Sequence, residues 1–371
     1  MRITFVVPVL EVSGGARIIA GHAERLAKRG HDVLIVAPQP ERPSFKEKAR
    51  AILGIGSRAL RPDRSLVALA DVPLHIPERK RSPIQESDVP DADVIIATWW
   101  ETAEWIWPMP AAKGAKVHFI QHYESFQNLP LDRVDAVWRL PIAKIAIAQW
   151  LIDLGRQRFG IEQMALVPNS VDHELFSAPP RGRREPPTVG FLFHKAPFKD
   201  VETSLNVVER VRQVRPDVRF LSFGAVKPAA EEIPSYCEFH YLPTQDQIAD
   251  IYARCDVWLS TSRTEGFNLP PLEAMASGCP AVCSKTGRPL EIIKDGINGF
   301  LVDAGDAEGF ADAILSILSL SDAAWRQMSE AAHLSVAHPT WDESSRLFEM
   351  ALTDFQTRDG TSVAINNDSI R

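Results

Sequence analysis

The sequence predicts an α/β protein of two domains, each built around a parallel sheet. Its 371 residues suit about two domains of ordinary size. Strand-like apolar runs alternate with amphipathic stretches over the first forty residues, and the alternation begins again at residue 188, as is typical of parallel sheets. A run rich in proline and arginine, residues 178–187, has the composition of a linker. We therefore place an N-terminal domain at residues 1–177 and a C-terminal domain at residues 188–339.

The first α/β unit opens the chain. An apolar strand over residues 3–9 leads through the loop VSGGAR, residues 12–17, to an amphipathic stretch and then to a second strand, DVLIVAP. Gly14 and Gly15 allow the backbone to come close to a phosphate or sugar at the start of the helix. An ordinary turn is the alternative interpretation of this glycine pair.

Two further strands of this domain end in side chains that suit a ligand site. DADVIIATWW, residues 91–100, ends in Trp99 and Trp100, and VHFIQHYESF, residues 117–126, places His122 just past its strand. Ligands of α/β proteins bind at such strand ends. Aromatic faces stack on sugars or lipid, and a histidine there is able to share a proton with a hydroxyl. The alternatives are tryptophans packed in the core and a histidine that only hydrogen-bonds a carbonyl.

The second domain repeats the logic of the first. A strand over residues 188–193 is followed by a loop and a helix, and runs 219–226 and 236–243 form the next two strands. The loop after the first of these strands holds His194 and, five residues later, Lys199. A lysine supplies a point charge that suits a phosphate.

The most informative segment lies where the strand-like run DVWLSTS, residues 256–262, is followed by EGFNLPPLE. Pro270 and Pro271 suit the first turn of a helix, where a missing N–H costs little. The remaining N–H groups of such a turn attract anions. Glu265 and Glu273 stand eight residues apart around the turn, and carboxylates are natural partners for sugar and ribose hydroxyls. Two ordinary surface carboxylates are the alternative interpretation.

Composition and charge exclude several classes of protein. Apolar residues make up 45% of the chain and charged ones 24%, which describes a globular protein. Residues 42–81 hold ten basic and four acidic residues, an excess that would be drawn to an anionic membrane, although a solvated loop is the simpler explanation. No nucleic-acid-binding pattern accompanies it, so we expect no nucleic-acid partner. Without a signal peptide or a run of about 18 apolar residues, we expect a cytoplasmic protein, peripheral at the inner face of the membrane at most.

The segment EGFNLPPLEAMASGCP, which begins at Glu265 and includes Glu273, resembles the E-x7-E signature of the family-4 retaining glycosyltransferases. Members of that family have two facing Rossmann-like domains, the GT-B architecture, and transfer a sugar from a nucleotide-sugar. The resemblance implies that Glu273 holds the ribose and Glu265 the donor sugar. It also implies backbone contacts to sugar and diphosphate from Gly266, Phe267, Asn268 and Leu269.

The resemblance extends to other loops of the donor site. Relatives carry Gly-Arg-x4-Lys-Gly after the first strand of the second domain; here Lys199 matches the lysine, His194 stands for the arginine and Asp200 for the second glycine. Gly15 matches the glycine-rich loop that faces the diphosphate, and Tyr241 lies where relatives hold the base.

Catalytic and acceptor-side residues are also implied. The predicted catalytic residues are Glu265, Lys199 and His122. The predicted acceptor-side residues are Arg17, Trp99, Trp100 and His122.

The end of each domain has a counterpart in the family as well. ALVPNSVDHELF, residues 165–176, resembles the Pro-Asn-Gly-Val-Asp segment that closes the first domain. A helix at about residues 340–358 looks like the returning helix that packs on the N-terminal domain. The polar tail, residues 359–371, is predicted to be disordered.

The resemblance implies a retaining glycosyltransferase that moves a sugar from a nucleotide-diphosphate sugar to a hydroxyl of a glycan or lipid-linked acceptor. The tryptophan-rich segment and QHYESF are similar to those of polysaccharide-assembly enzymes, which suggests surface polysaccharide as the product. No cofactor and no divalent metal are expected, because Asp91-Ala92-Asp93 begins a first-domain strand, away from the expected diphosphate site.

Two alternative functions stay open. One is a nucleotide-sugar epimerase or phosphorylase on the same architecture, since a fold does not fix the chemistry. The other is a catalytically silent nucleotide-sugar-binding subunit, which His194 and the pair Gln121-His122 favour and the intact carboxylates and lysine oppose. A dinucleotide oxidoreductase is disfavoured because no G-x-G-x-x-G follows the first strand.

Overall fold

The computed structural model describes residues 1–9, 14–39, 72–78, 83–126, 129–229 and 231–367. Contacts divide the chain into two compact units. The first unit comprises Met1–Asn169 and the segment that starts at Asp342, and the second comprises Ser170–Trp341.

In the first unit, short apolar strands alternate with helices, and the central strands are buried as those of a covered parallel sheet are. The strands are β1 (Arg2–Val6), β2 (Asp32–Val36), β3 (Leu74–His75), β4 (Val94–Ala97), β5 (Ala115–Ile120), β6 (Ala143–Ala146) and β7 (Ala165–Leu166). The helices among them are α1 (Gly14–Lys28), α2 (Trp100–Ile106), α3 (Leu131–Trp138) and α4 (Gln149–Phe159).

The described strands of the first unit form one parallel sheet in the order β3-β2-β1-β4-β5-β6-β7. Phe5 of β1 pairs with Ile35 of β2 on one side and with Ile96 of β4 on the other. The strand order therefore reverses between β1 and β4. Ligands of such sheets bind at the carboxyl ends of the two strands that flank the reversal.

The second unit repeats this plan. Its strands are β8 (Thr188–Leu192), β9 (Arg219–Gly224), β10 (Cys237–Tyr241), β11 (Val257–Ser260), β12 (Ala281–Ser284) and β13 (Gly299–Val302). Its helices are α5 (Val201–Val214), α6 (Gln245–Arg254), α7 (Leu269–Ala276), α8 (Pro289–Ile292), α9 (Ala307–Leu318) and α10 (Asp322–Ser335).

The described strands of the second unit also form a parallel sheet, in the order β10-β9-β8-β11-β12-β13. The reversal here lies between β8 and β11, where Phe191 pairs with Leu259. Phe191, Phe220 and Trp325 are among the fully buried side chains of the core of this unit. The predicted fold class, α/β with two Rossmann-like domains on parallel sheets, is confirmed.

The boundary between the units differs from the predicted domain boundary at residue 177. The second unit begins at Ser170, because the segment that follows packs on it: the Phe176 ring lies 5.8 Å from the ring of Tyr252. Residues 178–187 are part of the second unit as well and not a free linker. Arg181 forms a 2.7 Å ion pair with the fully buried Asp256, whose carboxylate also accepts the Thr188 N–H at 2.8 Å.

The final helix, α11 (Trp341–Asn367), packs on the first unit. Its Phe348 ring lies 5.0 Å from that of Phe119, and its Glu349 carboxylate pairs with His31 at 2.8 Å and with Arg29 at 2.6 Å. The helix continues to Asn367, past residue 359, where the sequence predicts a disordered tail. Extending an existing helix costs far less than starting one, so composition alone does not mark its end.

The basic segment 42–81 lies outside the described residues except for 72–78. Within the described ranges, no helix combines the length and the apolar character that crossing a membrane requires.

Candidate functional site

The carboxyl ends of β8 and β11, at the reversal of the second sheet, bring Lys199 and Glu265 together. The Lys199 Nζ atom lies 2.5 Å from Glu265 Oε1, and the two side chains are 17% and 9% exposed. Sixty-six residues separate them in the sequence. Adjacent parallel strands point their carboxyl ends the same way, so the sheet makes the loops neighbours and the two predicted catalytic residues meet.

Backbone contacts from both loops hold Lys199. It ends a short 3₁₀ turn, Pro197–Lys199, in which its N–H donates to the Ala196 carbonyl at 2.9 Å. The next residue, Asp200, has a left-handed backbone at φ +50°, and its carbonyl accepts the Thr261 hydroxyl at 2.9 Å. The lysine backbone is therefore fixed while its side chain spans to the neighbouring loop.

The turn between the two carboxylates is fixed by a left-handed residue and by the loop after β12. Asn268 has φ +70°, which asparagine tolerates, and its Nδ2 donates to Ser260 Oγ at 3.0 Å. A Cβ on Gly287, itself at φ +64°, would lie 2.8 Å from the Phe267 carbonyl oxygen. Arg288 donates its N–H to that same oxygen at 2.8 Å. This close approach explains why glycine occupies position 287.

Helix α7 starts at Leu269, with Pro270 and Pro271 in its first turn. The prolines remove two of the N–H groups that a helix start normally offers. The backbone N–H groups that remain at this end of α7 belong to Leu269 and to the turn before it, Gly266, Phe267 and Asn268. These are the residues for which the resemblance implies backbone contacts to the donor.

Glu273 lies one turn into α7 and is half-buried. Its Oε2 accepts the hydroxyl of the fully buried Tyr252 at 2.9 Å. Burial, followed by the charge of Glu273 and this hydrogen bond, holds the pKa of Tyr252 well above its usual range, so Tyr252 stays a donor. One oxygen of Glu273 is thus oriented by the core of the unit.

His194 follows β8 and is half-buried. Burial lowers its pKa, the charge of Lys199 lowers it further, and Glu265 opposes the shift. The Nδ1 atom accepts the Ala196 N–H at 3.0 Å, which places the proton of the neutral ring on Nε2. His194 is therefore a neutral donor where a charged arginine is expected from the resemblance.

Tyr241, the predicted base-side residue, ends β10 at the same carboxyl edge of the sheet, and its side chain is 50% exposed. The next residue, Leu242, has φ +49°, a rare conformation for a bulky residue. Its N–H donates to the Gly224 carbonyl at 2.9 Å, which holds the chain in this turn.

In the first unit, the start of α1 meets the segment after β5. A Cβ on Gly15 would lie 3.2 Å from Gln121 Oε1, so a larger residue would require a small shift of the glutamine side chain. Arg17, two residues into the helix from Gly15, is exposed. The structure thus brings the predicted glycine loop next to the QHYESF segment, at the carboxyl edge of the first sheet.

His122 lies in that segment, half-buried. Its Nδ1–H donates to the Tyr123 carbonyl at 2.6 Å, and its ring centre lies 4.8 Å from that of Phe126. Because a carbonyl only accepts, the neutral ring keeps its lone pair on Nε2. This is the tautomer that a proton acceptor needs, although the contact is also the carbonyl hydrogen bond of the alternative interpretation.

The two predicted acceptor-side tryptophans differ. Trp100 is 2% exposed, with the Arg133 guanidinium 4.7 Å above its ring; it lies in the core and not on an acceptor surface, which corrects the prediction. Trp99 is half-buried, and its N–H donates to Thr102 Oγ1 at the start of α2. The helix that begins between the two residues turns one ring inward.

Sequence reasoning missed Glu124, also in the QHYESF segment. Its side chain is 1% exposed, and none of the described residues offers a hydrogen bond to its Oε2. Burial raises its pKa to about 8, with its own backbone N–H acting in the opposite direction. The carboxyl is therefore protonated at neutral pH. Its position four residues past a buried strand was the only signal in the sequence, and it does not reveal burial.

The described residues contain no cluster of three or more His, Cys, Asp and Glu side chains that could hold a metal ion. The predicted independence of divalent metal remains a prediction.

A cavity of about 490 Å³ lies at the opposite, amino end of β6, lined by residues that include Trp138, Lys144 and Phe159. Burial lowers the pKa of Lys144 to about 8, and its Nζ donates to the carbonyls of Leu140 at 2.6 Å and Ile142 at 3.0 Å. These contacts hold the loop before β6. Because the cavity lies at the amino end of the strand, it is separate from the site at the carboxyl edge.

The fold has counterparts among solved structures. The fold is the GT-B architecture: sucrose-phosphate synthase from Thermosynechococcus elongatus covers 96% of this chain and 100% of its own, with a TM-score of 0.74 at 16% identity. The structure of Anabaena HepE in complex with UDP-glucose covers 98% of this chain and 99% of its own, with a TM-score of 0.68 at 16% identity. Likeness at such identity shows the fold alone.

Residues 186–320 match the family model described as Glycosyl transferases group 1. This segment contains Lys199, Glu265 and Glu273. The chain is 38% identical over 153 residues to N-acetyl-alpha-D-glucosaminyl L-malate synthase from Bacillus anthracis, a match to 39% of this chain and 40% of that protein. The chain thus spans less than half the length of this relative. The coarser part of the predicted resemblance is confirmed, as group 1 similarity over residues 186–320 and a GT-B fold. The retaining family-4 assignment with its E-x7-E signature stays a prediction.

Proposed function

We propose that the protein is a retaining, metal-independent glycosyltransferase that moves a sugar from a nucleotide-diphosphate sugar to a hydroxyl of a glycan or lipid-linked acceptor. The observation that carries the proposal is the Lys199–Glu265 pair, 2.5 Å apart at the strand reversal of the second sheet. The pair lies within the segment that matches the group 1 glycosyl transferases. A cation beside a carboxylate suits a ligand that has a diphosphate on one side and sugar hydroxyls on the other.

The second unit binds the donor. Lys199 exchanges Glu265 for the diphosphate, which frees the Glu265 carboxylate for a hydroxyl of the donor sugar. The backbone N–H groups at the start of α7 add dipoles of the right sign for the phosphate oxygens. Glu273, oriented by Tyr252 at 2.9 Å, takes the ribose hydroxyls. Tyr241 offers its exposed ring on the side of the base.

The reaction breaks the bond between the anomeric carbon and the diphosphate oxygen. Lys199 and the start of α7 stabilise the negative charge that develops on the leaving group. The acceptor hydroxyl forms the new bond on the same face, and its proton passes to the departing phosphate oxygen, so the anomeric configuration is retained. His122 is assigned to the acceptor side; its Nε2 atom is buried in this structure, so the ring has to move before that atom accepts a hydrogen bond from the acceptor hydroxyl.

The acceptor is bound by the first unit, through Gly15, Arg17, Trp99 and His122. The aromatic ring of Trp99 suits the CH face of a sugar, and the charged Arg17 is able to donate hydrogen bonds to its hydroxyls. We assign the protein to surface polysaccharide assembly in the cytoplasm, where residues 42–81 bring the first unit to the inner face of the membrane.

The direct test starts from donor binding. Thermal melting is followed with UDP-, GDP- and dTDP-sugars, because a bound donor raises the melting temperature with the logarithm of its excess over Kd. The proposal expects donors with one particular base to raise the melting temperature most. It also expects the sugar of that donor to be transferred to an added acceptor glycan. No stabilisation by any donor would overturn it. Binding without turnover would identify a silent donor-binding subunit, and release of an epimerised sugar would identify an epimerase.

The membrane contact has its own test. The ten basic and four acidic residues of 42–81 are expected to bind anionic lipid at roughly 1 kcal/mol per well-placed basic residue. Co-sedimentation with vesicles of phosphatidylserine and phosphatidylcholine should decrease as salt is added. If the protein stays in the supernatant at low salt, the contact does not exist, whatever its enzymatic activity.

A further inference from the structure

A second ion pair lies beside the Lys199–Glu265 pair and bridges the same two loops. Asp200, the neighbour of Lys199, accepts from Arg263 at 2.9 Å, and Arg263 stands two residues before Glu265. The four side chains form a closed ring of alternating charge. Two links are ion pairs, Lys199 with Glu265 and Asp200 with Arg263. The other two links are backbone connections, because Lys199 adjoins Asp200 and Arg263 lies two residues before Glu265. We call these four residues the charge ring.

The Asp200 corner of the charge ring is buried and tightly bonded. The Asp200 side chain is 7% exposed, and its Oδ2 also accepts the Thr203 hydroxyl at 2.9 Å. Its carbonyl accepts the hydroxyl of Thr261, which in turn contacts Ser204 Oγ at 2.7 Å. These groups tie Asp200 both to the first turn of α5 and to the loop after β11.

Asp200 has an unusual backbone conformation, and the contacts of its side chain explain it. Its φ of +50° and ψ of +50° are left-handed, a conformation that glycine adopts freely and aspartate adopts with some strain. A residue chosen only for this turn would be glycine. The carboxylate therefore has a task that outweighs the strain, and its contacts show two partners: the Arg263 guanidinium in the other loop and the Thr203 hydroxyl in the first turn of α5.

Arg263 is bound to the loop after β8 at two points. Besides the ion pair with Asp200, its backbone N–H donates to the Phe198 carbonyl at 2.7 Å. Its side chain is 58% exposed, so the pair adds little to stability by itself. Its effect is geometric, because it fixes the register between the loop that holds Lys199 and the loop that holds Glu265.

We propose that Asp200 and Arg263 are positioning residues that keep Lys199 and Glu265 in register when the Lys199–Glu265 pair opens to admit a diphosphate. The inference rests on the proposed function. When Lys199 turns to the donor, the pair on one side of the charge ring is lost and the pair on the other side stays. The two loops then remain aligned, and the reacting groups need no rearrangement before the chemical step.

Three variants test the proposal. Asp200→Gly accepts the left-handed backbone more readily than aspartate but removes the whole side chain. Asp200→Asn keeps the size and an acceptor oxygen for Thr203 but removes the charge, and Arg263→Gln removes the charge from the other partner. The matched control is Lys195→Gln, because Lys195 lies in the same loop and forms a 2.6 Å ion pair with Glu232 that leaves the loop after β11 untouched.

Each variant is measured for melting temperature, for the Kd of UDP, GDP and dTDP, and for kcat and KM with the corresponding sugars. We expect all three ring variants to fold and to lose about 10-fold or more in kcat/KM, while Lys195→Gln behaves as wild type. If the left-handed backbone were the only requirement at position 200, Asp200→Gly would be as active as wild type, and that result overturns the proposal. If the wild-type protein binds none of the three diphosphates, the proposed function itself is wrong, independently of the ring variants.

A double-variant cycle separates positioning from mere stability. Asp200→Asn is combined with Lys199→Ala, and donor affinity is compared across the four proteins. If Asp200 acts through Lys199, Asp200→Asn costs much less in the Lys199→Ala background than alone. An equal cost in both backgrounds shows that Asp200 does not act through Lys199 and contradicts the inference.

Discussion

The two sheets share the order of six strands, with β7 added in the first sheet, but the carboxyl ends of their strands carry different chemistry. At the edge of the second sheet, charged side chains pair across loops, with Lys199 2.5 Å from Glu265 and Asp200 2.9 Å from Arg263. After β5 of the first sheet, the described side chains are neutral or aromatic, and even Glu124 is protonated at neutral pH because burial raises its pKa to about 8. One scaffold thus provides an edge suited to an anionic diphosphate and an edge suited to hydroxyls.

The largest expected effect breaks the charged edge. Lys199→Ala should lower kcat by about 10²-fold or more, as the loss of one preorganised charge contact typically does. His194 does not compensate, because burial and the neighbouring lysine lower its pKa and keep it neutral. Steady-state kinetics with the donor that stabilises the wild type measures the change. Wild-type kcat in Lys199→Ala, with Lys195→Gln as the control for the loop, would remove Lys199 from the mechanism.

Glu273 and Glu265 are expected to affect different steps, the first donor binding and the second turnover. Glu273→Ala should weaken donor binding by about tenfold or more, the order of a hydrogen bond to a charged group, because ribose does not react. Glu265→Gln should mainly lower kcat, because the donor sugar distorts in the transition state. Calorimetric Kd values and kcat for both variants decide the matter. Equal donor affinity in wild type and Glu273→Ala would refute the assignment of the ribose.

The neutral edge has a signature in the pH dependence of stability. Glu124 has a folded-state pKa of about 8 against an ordinary value of 4.5, so the folded state binds more protons between these values. Its contribution to the free energy of unfolding is complete below about pH 4.5 and is lost as the pH rises toward 8, by at most about 1.4 kcal/mol per pH unit. Glu124→Gln, which stays neutral, should flatten this decline.

Urea titrations of wild type and Glu124→Gln at several pH values between about 5 and 8 provide the measurement. Glu232→Gln is a suitable control, because Glu232 forms an ion pair with Lys195 on the other unit and its pKa is lowered instead. Parallel stability curves for wild type and Glu124→Gln would show that Glu124 is ionised at neutral pH and would erase the contrast between the two edges.

Local sequence predicted the parts of the molecule that local interactions determine. The strand, turn and helix around EGFNLPPLE follow from the run of apolar residues and from Pro270 and Pro271, and the structure has β11, the turn and α7 there. The resemblance named Lys199 and Glu265 as site residues with separate roles, and the sheet order explains why they meet. The charge ring escaped detection because Asp200 and Arg263 lie sixty-three residues apart and no spacing pattern links them.

Burial was harder to predict than secondary structure. Trp99 and Trp100 are neighbours in the sequence, yet α2 buries only the second almost completely. The proline and arginine content of residues 178–187 predicted a linker, but Arg181 forms an ion pair with the buried Asp256, which composition does not reveal. In each case the outcome depends on partners supplied by distant elements, which the sequence does not identify by itself.

The central claim, a transfer in which the leaving diphosphate takes the acceptor proton, is tested most directly by NMR of the newly formed linkage. The reaction starts from a donor of known anomeric configuration, with EDTA present throughout. The account predicts that the product keeps the anomeric configuration of the donor and that EDTA leaves the rate unchanged. An inverted linkage, or activity that disappears with EDTA and returns with Mg²⁺, would contradict it.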